Sequence, residues 1–264
     1  MSETKIPYLT KTWNFHTGCL HFEKGICPIP KDDCWARGNF KRFKWDFTPT
    51  LHPEKLLEPL SWKSPQRVGV CFTGDLFGEW VDPNQNTDFA GMQLNQLVST
   101  VMCTRPQHQF FFLTKNPAGY SRWSTEWPNN AWLGATVCNR KMLDDALCSF
   151  IDTEAKHYWL SIEPLMEFLN LQSQTLEGVD FVVIGGWSTP AQRKAHPIEI
   201  SWIREICKAC DRAGIPVYLK DNLASLFGIS LNPFPTWAFK NGYYTDETHP
   251  FVDLHLRQQL PEAK

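Results

Sequence analysis

The sequence predicts an α/β fold, a complete or partial (β/α) TIM-like barrel of about six or seven parallel strands. Three observations point there. Short runs of β-branched and aromatic residues recur along the chain without polar alternation, the pattern of strands covered on both faces. Each run ends in a polar or glycine-rich tip. Between the runs lie segments whose apolar residues recur at three- and four-residue steps, as on a helix. Strand alternating with helix implies crossover connections and parallel strands. A doubly wound open sheet is the competing layout.

Taken in order, residues 12–17 make a candidate first strand. Residues 68–72 lead into Thr73, Gly74 and Asp75, and the Phe-Phe-Phe-Leu run 110–113 leads into Thr114 and Lys115. Residues 132–137 precede Cys138 and Asn139, and residues 158–160 precede Ser161, Ile162, Glu163 and Pro164. The run 181–184 ends at Gly185 and Gly186, and 217–219 ends at Lys220 and Asp221. Helical spacing covers 89–102 and 198–213; the second segment stops at Gly214, and Pro216 opens the next strand. No repeat or Gly/Ser linker divides the chain, so 1–264 reads as a single domain with a C-terminal extension over about 223–264.

A barrel reading carries a functional expectation. Sites of such folds sit at the C-terminal ends of the strands, in the loops that follow them. Asp75, Lys115, Asn139, Glu163, Gly185, Gly186, Lys220 and Asp221 are then expected at one mouth.

Composition narrows the classes. With 42% hydrophobic and 20% charged residues the chain is globular rather than disordered. A formal net charge of −2 excludes coating nucleic acid by bulk charge, but not through a local basic patch. No apolar run approaches the roughly 18 to 20 residues of a membrane span, so no membrane partner is expected. Residues 1–11 lack the apolar stretch of a signal peptide, which makes a cytoplasmic location the expectation. Nine cysteines suit that reducing setting, where thiols serve metals, catalysis or packing.

Cys19, Cys27 and Cys34 fall on one Gly- and Pro-containing loop directly after the first candidate strand. Three thiolates are one short of a closed structural zinc site, which His16 or His21 would complete. They are also a suitable set for a [4Fe–4S] cluster with one iron left open. Spacing does not choose between the two. Cys71 reads as a small buried hydrophobe, and Cys207 and Cys210, on the apolar stripe of the 198–213 helix, read as packing.

With these residues assembled, the chain resembles a family of mostly uncharacterised proteins, common in bacteriophages and bacteria and known for a three-cysteine motif. That family is similar to the radical S-adenosylmethionine (radical-SAM) enzymes. The resemblance runs from about residue 12 to residue 222 through landmarks in order. They are Thr12-Trp13-Asn14 with Thr17-Gly18-Cys19, Cys34-Trp35-Ala36, Asp75-Leu76-Phe77 and Leu113-Thr114-Lys115-Asn116-Pro117. Trp132-Leu133-Gly134, Ser161-Ile162-Glu163-Pro164-Leu165, Ile184-Gly185-Gly186 and Gly214-Ile215-Pro216 follow. Two features depart from the family. Its last two cysteines usually stand as Cys-x-x-Cys, whereas six residues separate Cys27 from Cys34 here, and Trp187 follows the glycine pair where the family generally has glutamate.

The resemblance implies that Cys19, Cys27 and Cys34 bind a [4Fe–4S] cluster whose open iron takes S-adenosylmethionine. An external electron donor then allows formation of a 5′-deoxyadenosyl radical that abstracts hydrogen from a substrate carbon. It further implies that Asp75 meets the methionine amino group and Glu163 the ribose hydroxyls. Lys115 would engage the cofactor carboxylate or a substrate phosphate, and Gly185 and Gly186 would let backbone approach the cofactor. Lys220 and Asp221 would serve the substrate end.

The expected substrate is a small molecule or nucleotide, and nucleotide or nucleic-acid modification suits a family found in phages. Arg37, Lys41, Arg42 and Lys44 interleave with Phe40, Phe43 and Trp45 just after the cysteine loop, a mixture suited to bases and phosphates or simply to a solvated face. Two other classes stand beside this one. One is a zinc-stabilised binding or adaptor domain, and the other a cluster-free barrel hydrolase using Glu163 and Asp75 as acid and base.

Overall fold

The computed structural model describes residues 4–124, 126–171, 173–188, 194, 196–227 and 256–261. Its strands are β1 (Lys11–Trp13), β2 (His16–Thr17), β3 (Thr50–Leu51), β4 (Arg67–Val70), β5 (Gln109–Thr114), β6 (Ala131–Thr136), β7 (His157–Ile162), β8 (Val179–Ile184) and β9 (Val217–Leu219). Seven of them share one sheet in the order β1-β4-β5-β6-β7-β8-β9, while β2 and β3 form a small antiparallel pair. Each strand is added beside its predecessor, with none of the reversal of order that defines a doubly wound sheet. The fold is therefore the expected partial (β/α) barrel of parallel strands.

The helices are α1 (Trp35–Phe43), α2 (Leu94–Thr104), α3 (Tyr120–Trp123), α4 (Arg140–Ile151) and α5 (Ile200–Ala213). Helix α5 ends as its sequence requires: Gly214 takes φ 69°, and its amide reaches the carbonyls of Asp211 and Cys210. Cys207 and Cys210 lie on its buried face, as packing residues. Helix α2 begins five residues later than the apolar spacing suggests. Ala90 and Gly91 have φ of 53° and 70°, outside any right-handed helix, and the helix starts only where Gln93 and Gln96 form a reciprocal cap.

The chain packs as two compact units, Met1–Thr136 with Met142–Tyr158, and Val137–Lys141 with Trp159–Lys264. In the first, the aromatic run of β5 is buried on both faces: Phe110, Phe111 and Phe112 are all 0% exposed. Phe110 meets Trp13 at 5.7 Å between centroids, and Phe111 stacks on Trp132 at 5.1 Å. Tyr120 completes this core by donating its hydroxyl to the Gly134 carbonyl (2.7 Å) and accepting the Gly134 amide (3.0 Å). In the second unit, Val182, Val183 and Ile184 of β8 pair in register with Val217, Tyr218 and Leu219 of β9. Residues 256–261 run along β9, with the Leu219 amide donating to the Arg257 carbonyl and the Gln259 amide to Val217. The rest of the expected extension, residues 228–255 and 262–264, lies outside the described residues. No helix among the described residues is long and apolar enough to cross a membrane.

Candidate functional site

In the first unit the cysteine loop is fastened to the tip of β4. The Gly18 amide donates to Thr73, the Asp75 amide to Gly18, and the two glycine backbones meet so closely that a Cβ on Gly74 would stand 2.5 Å from the Gly18 carbonyl oxygen. Gly18 itself has φ +82°, and a side chain there would lie 2.5 Å from the Thr48 carbonyl oxygen. Both positions exclude any larger residue, which gives Thr17-Gly18-Cys19 and Thr73-Gly74-Asp75 a shared physical reason.

Asp75 is buried at the centre of this junction. Its Oδ2 accepts from His21 Nε2 (2.7 Å) and the Lys115 amide (3.0 Å), and its Oδ1 from the Thr114 hydroxyl (2.8 Å) and the Phe77 amide (3.0 Å). Burial alone would raise the carboxyl's pKa; the bond to His21, its charge, and the donors on Lys115 and Thr114 outweigh that and hold it below the usual carboxylate range. The carboxylate that the resemblance assigns to a methionine ammonium is thus engaged by donors from three segments of the chain. An ionised carboxylate only accepts, so His21 carries its proton on Nε2. Its Nδ1 is buried without a hydrogen-bond partner among the described residues.

Cys19 and Cys27 border this pair. The His21 amide points at Cys19 Sγ (3.4 Å), and the His21 carbonyl accepts the amides of Ile26 and Cys27. Burial, then the charge of Asp75, push the Cys19 thiol up to about 12, and Lys115 and Cys27 are close enough to act on it electrostatically. Cys34 stands at the N-cap of α1. Cys19, Cys27 and Cys34 are all free and half-buried. The donor set, three soft thiols on one loop, suits an iron–sulfur cluster. Among the described residues no three His, Cys, Asp or Glu side chains are gathered as a single metal ion requires. His16 is 4% exposed, and burial followed by the neighbouring His52 lowers it to about 4. Cys71 is buried, whereas Cys103 and Cys148 are exposed.

The second unit holds the other candidates. Glu163 Oε1 pairs with Lys220 Nζ at 2.5 Å, both side chains about one-fifth to one-quarter exposed (20% and 24%). The carboxylate occupies the space beside Gly185, where a Cβ would fall 2.9 Å from Glu163 Cδ. Gly185 therefore makes room for a side chain of this protein. Gly186 is gripped by Asn222, whose Oδ1 accepts the Gly186 amide (3.1 Å) and whose Nδ2 donates to its carbonyl (2.8 Å). Asp221 accepts from Gln258 Nε2 (2.7 Å), and the Cys138 thiol donates to the Glu163 carbonyl (3.7 Å). Asn139 is half-buried after β6, and Trp187 is buried with its ring stacked on His196 at 5.3 Å.

Sequence reasoning missed Asn222 and Thr114 as the residues that hold the tips. Each adjoins a tip residue that was singled out, and a side-chain amide or hydroxyl next to a glycine turn or carboxylate is the signal that would have found it.

Residues 3–224 match the model of a family described as a protein of unknown function (DUF5131). No curated protein matches the chain. Among solved structures, it is similar to a variant of spore photoproduct lyase, with a TM-score of 0.50, 10% identity, and coverage of 83% of this chain and 78% of that one. A second variant of spore photoproduct lyase, with bound AdoMet and dinucleoside spore photoproduct, matches with the same score, identity and coverage. At this identity the likeness is one of fold.

Proposed function

The chain belongs to this DUF5131 family, and from that premise we propose that it is a radical-SAM enzyme acting on a nucleotide, a nucleic-acid base or a related metabolite. One observation carries the reading. A fold shared with spore photoproduct lyase coincides with three free, half-buried thiols on the loop fastened to β4. One of the solved neighbours holds AdoMet and a dinucleoside spore photoproduct, which supports both the cofactor and the substrate class.

In this reading Cys19, Cys27 and Cys34 hold a [4Fe–4S] cluster. Cluster and S-adenosylmethionine, when bound, supply one-electron chemistry able to take hydrogen from an unreactive carbon. The protein's own groups position and shield. Asp75 and His21 fix the backbone between Cys19 and Cys27. Glu163 presents a carboxylate to ribose hydroxyls, its second oxygen remaining available while Oε1 is held by Lys220. Lys115 supplies a cation for the cofactor carboxylate or a substrate phosphate. Asn222 holds the Gly186 backbone, and Gly185 and Gly186 would serve the cofactor while Lys220 and Asp221 would serve the substrate. An external electron donor and the reducing cytoplasm complete the proposal.

The test is anaerobic reconstitution with iron and sulfide, then addition of S-adenosylmethionine and dithionite. The expected result is a brown protein with about four irons per chain that releases 5′-deoxyadenosine. One zinc and no iron would replace this reading with a zinc-stabilised binding domain. Activity that survives the combined change Cys19→Ala and Cys34→Ala would replace it with a cluster-free hydrolase.

A further inference from the structure

Helix α1 and the turn behind it expose large aromatic rings that nothing in the fold requires at the surface. Trp35 is 49% exposed, Phe43 55% and Trp45 63%, while only Ala36 and Phe40 of the helix are buried. Three such rings within eleven residues exceed the scattered single hydrophobics of an ordinary surface.

Their arrangement is built by the backbone. Lys44 caps the helix in the left-handed region at φ 57°, its amide reaching the Lys41 and Phe40 carbonyls, and the Trp45 amide also bonds to Phe40 (2.9 Å). Side chains other than glycine rarely adopt this conformation. It folds the chain back so that Trp45 stacks on Phe43 (5.0 Å, 28°) and sets its edge against the buried Phe40 (5.7 Å). The result is an aromatic platform at the surface, held from below.

Cations surround the platform. The Arg42 guanidinium lies 5.7 Å from the Phe43 ring. Lys41, Arg42 and Lys44 are exposed, and among the described residues none has a carboxylate within ion-pair reach. Arg37 is committed to Glu23 (2.9 Å) and to the Phe47 ring (4.8 Å). Residues 35–45 hold four basic side chains and no acidic one, in a chain whose formal net charge is −2.

We propose that this surface docks single-stranded nucleic acid. Stacked aromatics offer a face to any base, and unpaired lysine and arginine neutralise phosphates without reading sequence. A helix lying on a membrane would separate its apolar face from its charges, whereas here rings and cations interleave. The surface begins next to Cys34, the N-cap of α1, which joins it to the candidate cysteine site. It deepens the function proposed above, on which it rests for its substrate role, by naming an oligonucleotide rather than a free nucleotide as what approaches that site.

The experiment titrates the full-length protein, with and without reconstituted iron, into fluorescein-labelled dT15 and follows anisotropy over a salt series. The wild type is expected to bind with an affinity that falls as salt rises. Phe43→Ala with Trp45→Ala raises Kd about tenfold or more. Lys41→Gln, Arg42→Gln and Lys44→Gln together reduce the slope of log K against log salt by about 2. The triple charge variant changes only exposed side chains and keeps the test decisive should the aromatic variant melt early. No binding by the wild type, or an unchanged Kd and salt slope in both variants, overturns the proposal. So does binding to phosphatidylserine vesicles that the variants lose and dT15 does not displace. Tight dT15 binding by protein that takes up no iron sinks the radical reading alone; full iron content without dT15 binding sinks this surface alone.

Discussion

His21 Nε2 lies 2.7 Å from Asp75 Oδ2, with side chains only 2% and 6% exposed. The bond links the tip of β4 to the middle of the cysteine loop, because the His21 backbone also engages Cys19 Sγ and the Cys27 amide. His21→Ala is expected to free this loop while leaving the sheet intact. Alkylation of Cys19 and Cys27 by iodoacetamide, read peptide by peptide in a mass spectrometer, should quicken by roughly tenfold, the equivalent of one lost buried hydrogen bond. Cys71, buried below the tip, should not change. Equal rates at Cys19 and Cys27 before and after the substitution would show that the pair does not order the loop.

Asp75→Ala is expected to be more severe. It removes the acceptor for His21, Thr114, the Lys115 amide and the Phe77 amide together. A loss of about 3–5 kcal/mol is expected in urea unfolding, the range for deleting one partner of a buried charged pair. A loss under about 1 kcal/mol would mean that water satisfies those donors and that Asp75 is not the junction's anchor.

Gly185→Ala tests the seat of Glu163. The added methyl would stand 2.9 Å from the carboxyl carbon, so the side chain must leave or the backbone must shift, at about 1–3 kcal/mol. Glu163→Ala in the same background should recover most of that loss by emptying the space. Equal destabilisation with and without Glu163 would refute the steric account.

Asn222→Ala removes both bonds to Gly186 and should lower stability by about 1–3 kcal/mol. Hydrogen exchange at the Gly186 amide should accelerate in parallel. An unaltered exchange rate would indicate that neighbouring packing, not Asn222, holds this tip.

Acid should weaken the protein through His16. Its imidazole is lowered from 6.5 to about 4 by burial first and by His52 next, with Asp75 opposing. The folded chain keeps the ring neutral where the unfolded chain would protonate it. Its stabilising effect is therefore complete above a pH of about 6.5 and is lost as pH falls from there towards 4, amounting to about 3 kcal/mol. His16→Leu should flatten the fall in Tm across that window. A parallel fall in wild type and variant would assign the acid sensitivity to other groups.

Much of the fold was legible because the relevant signals are local. The Phe110–Phe112 run is buried on both faces, so nothing polar interrupts it, and the Gly214 stop of α5 depends on one residue's φ. The Cys207 and Cys210 stripe declared itself by period. Other elements were hidden for equally physical reasons. Helix α1 turns Trp35 and Phe43 to solvent and buries only Ala36 and Phe40, so its apolar face is short. The first residues of the expected 89–102 helix form a turn at Ala90 and Gly91 instead.

By itself, the sequence determined the parallel α/β architecture, the strand tips and the three thiols on one loop, since patterning and turn chemistry act over a few neighbouring residues. Only the tertiary structure decided what the tip residues touch. Asp75 finds His21 across 54 residues and Thr114 across 39, and Glu163 finds Lys220 across 57. Such partners depend on strand register and on the close meeting of Gly18 with Gly74, neither of which local propensity encodes. For that reason a carboxylate that reads as an open ligand in the sequence is, in the folded chain, the buried acceptor that holds the cysteine loop in place.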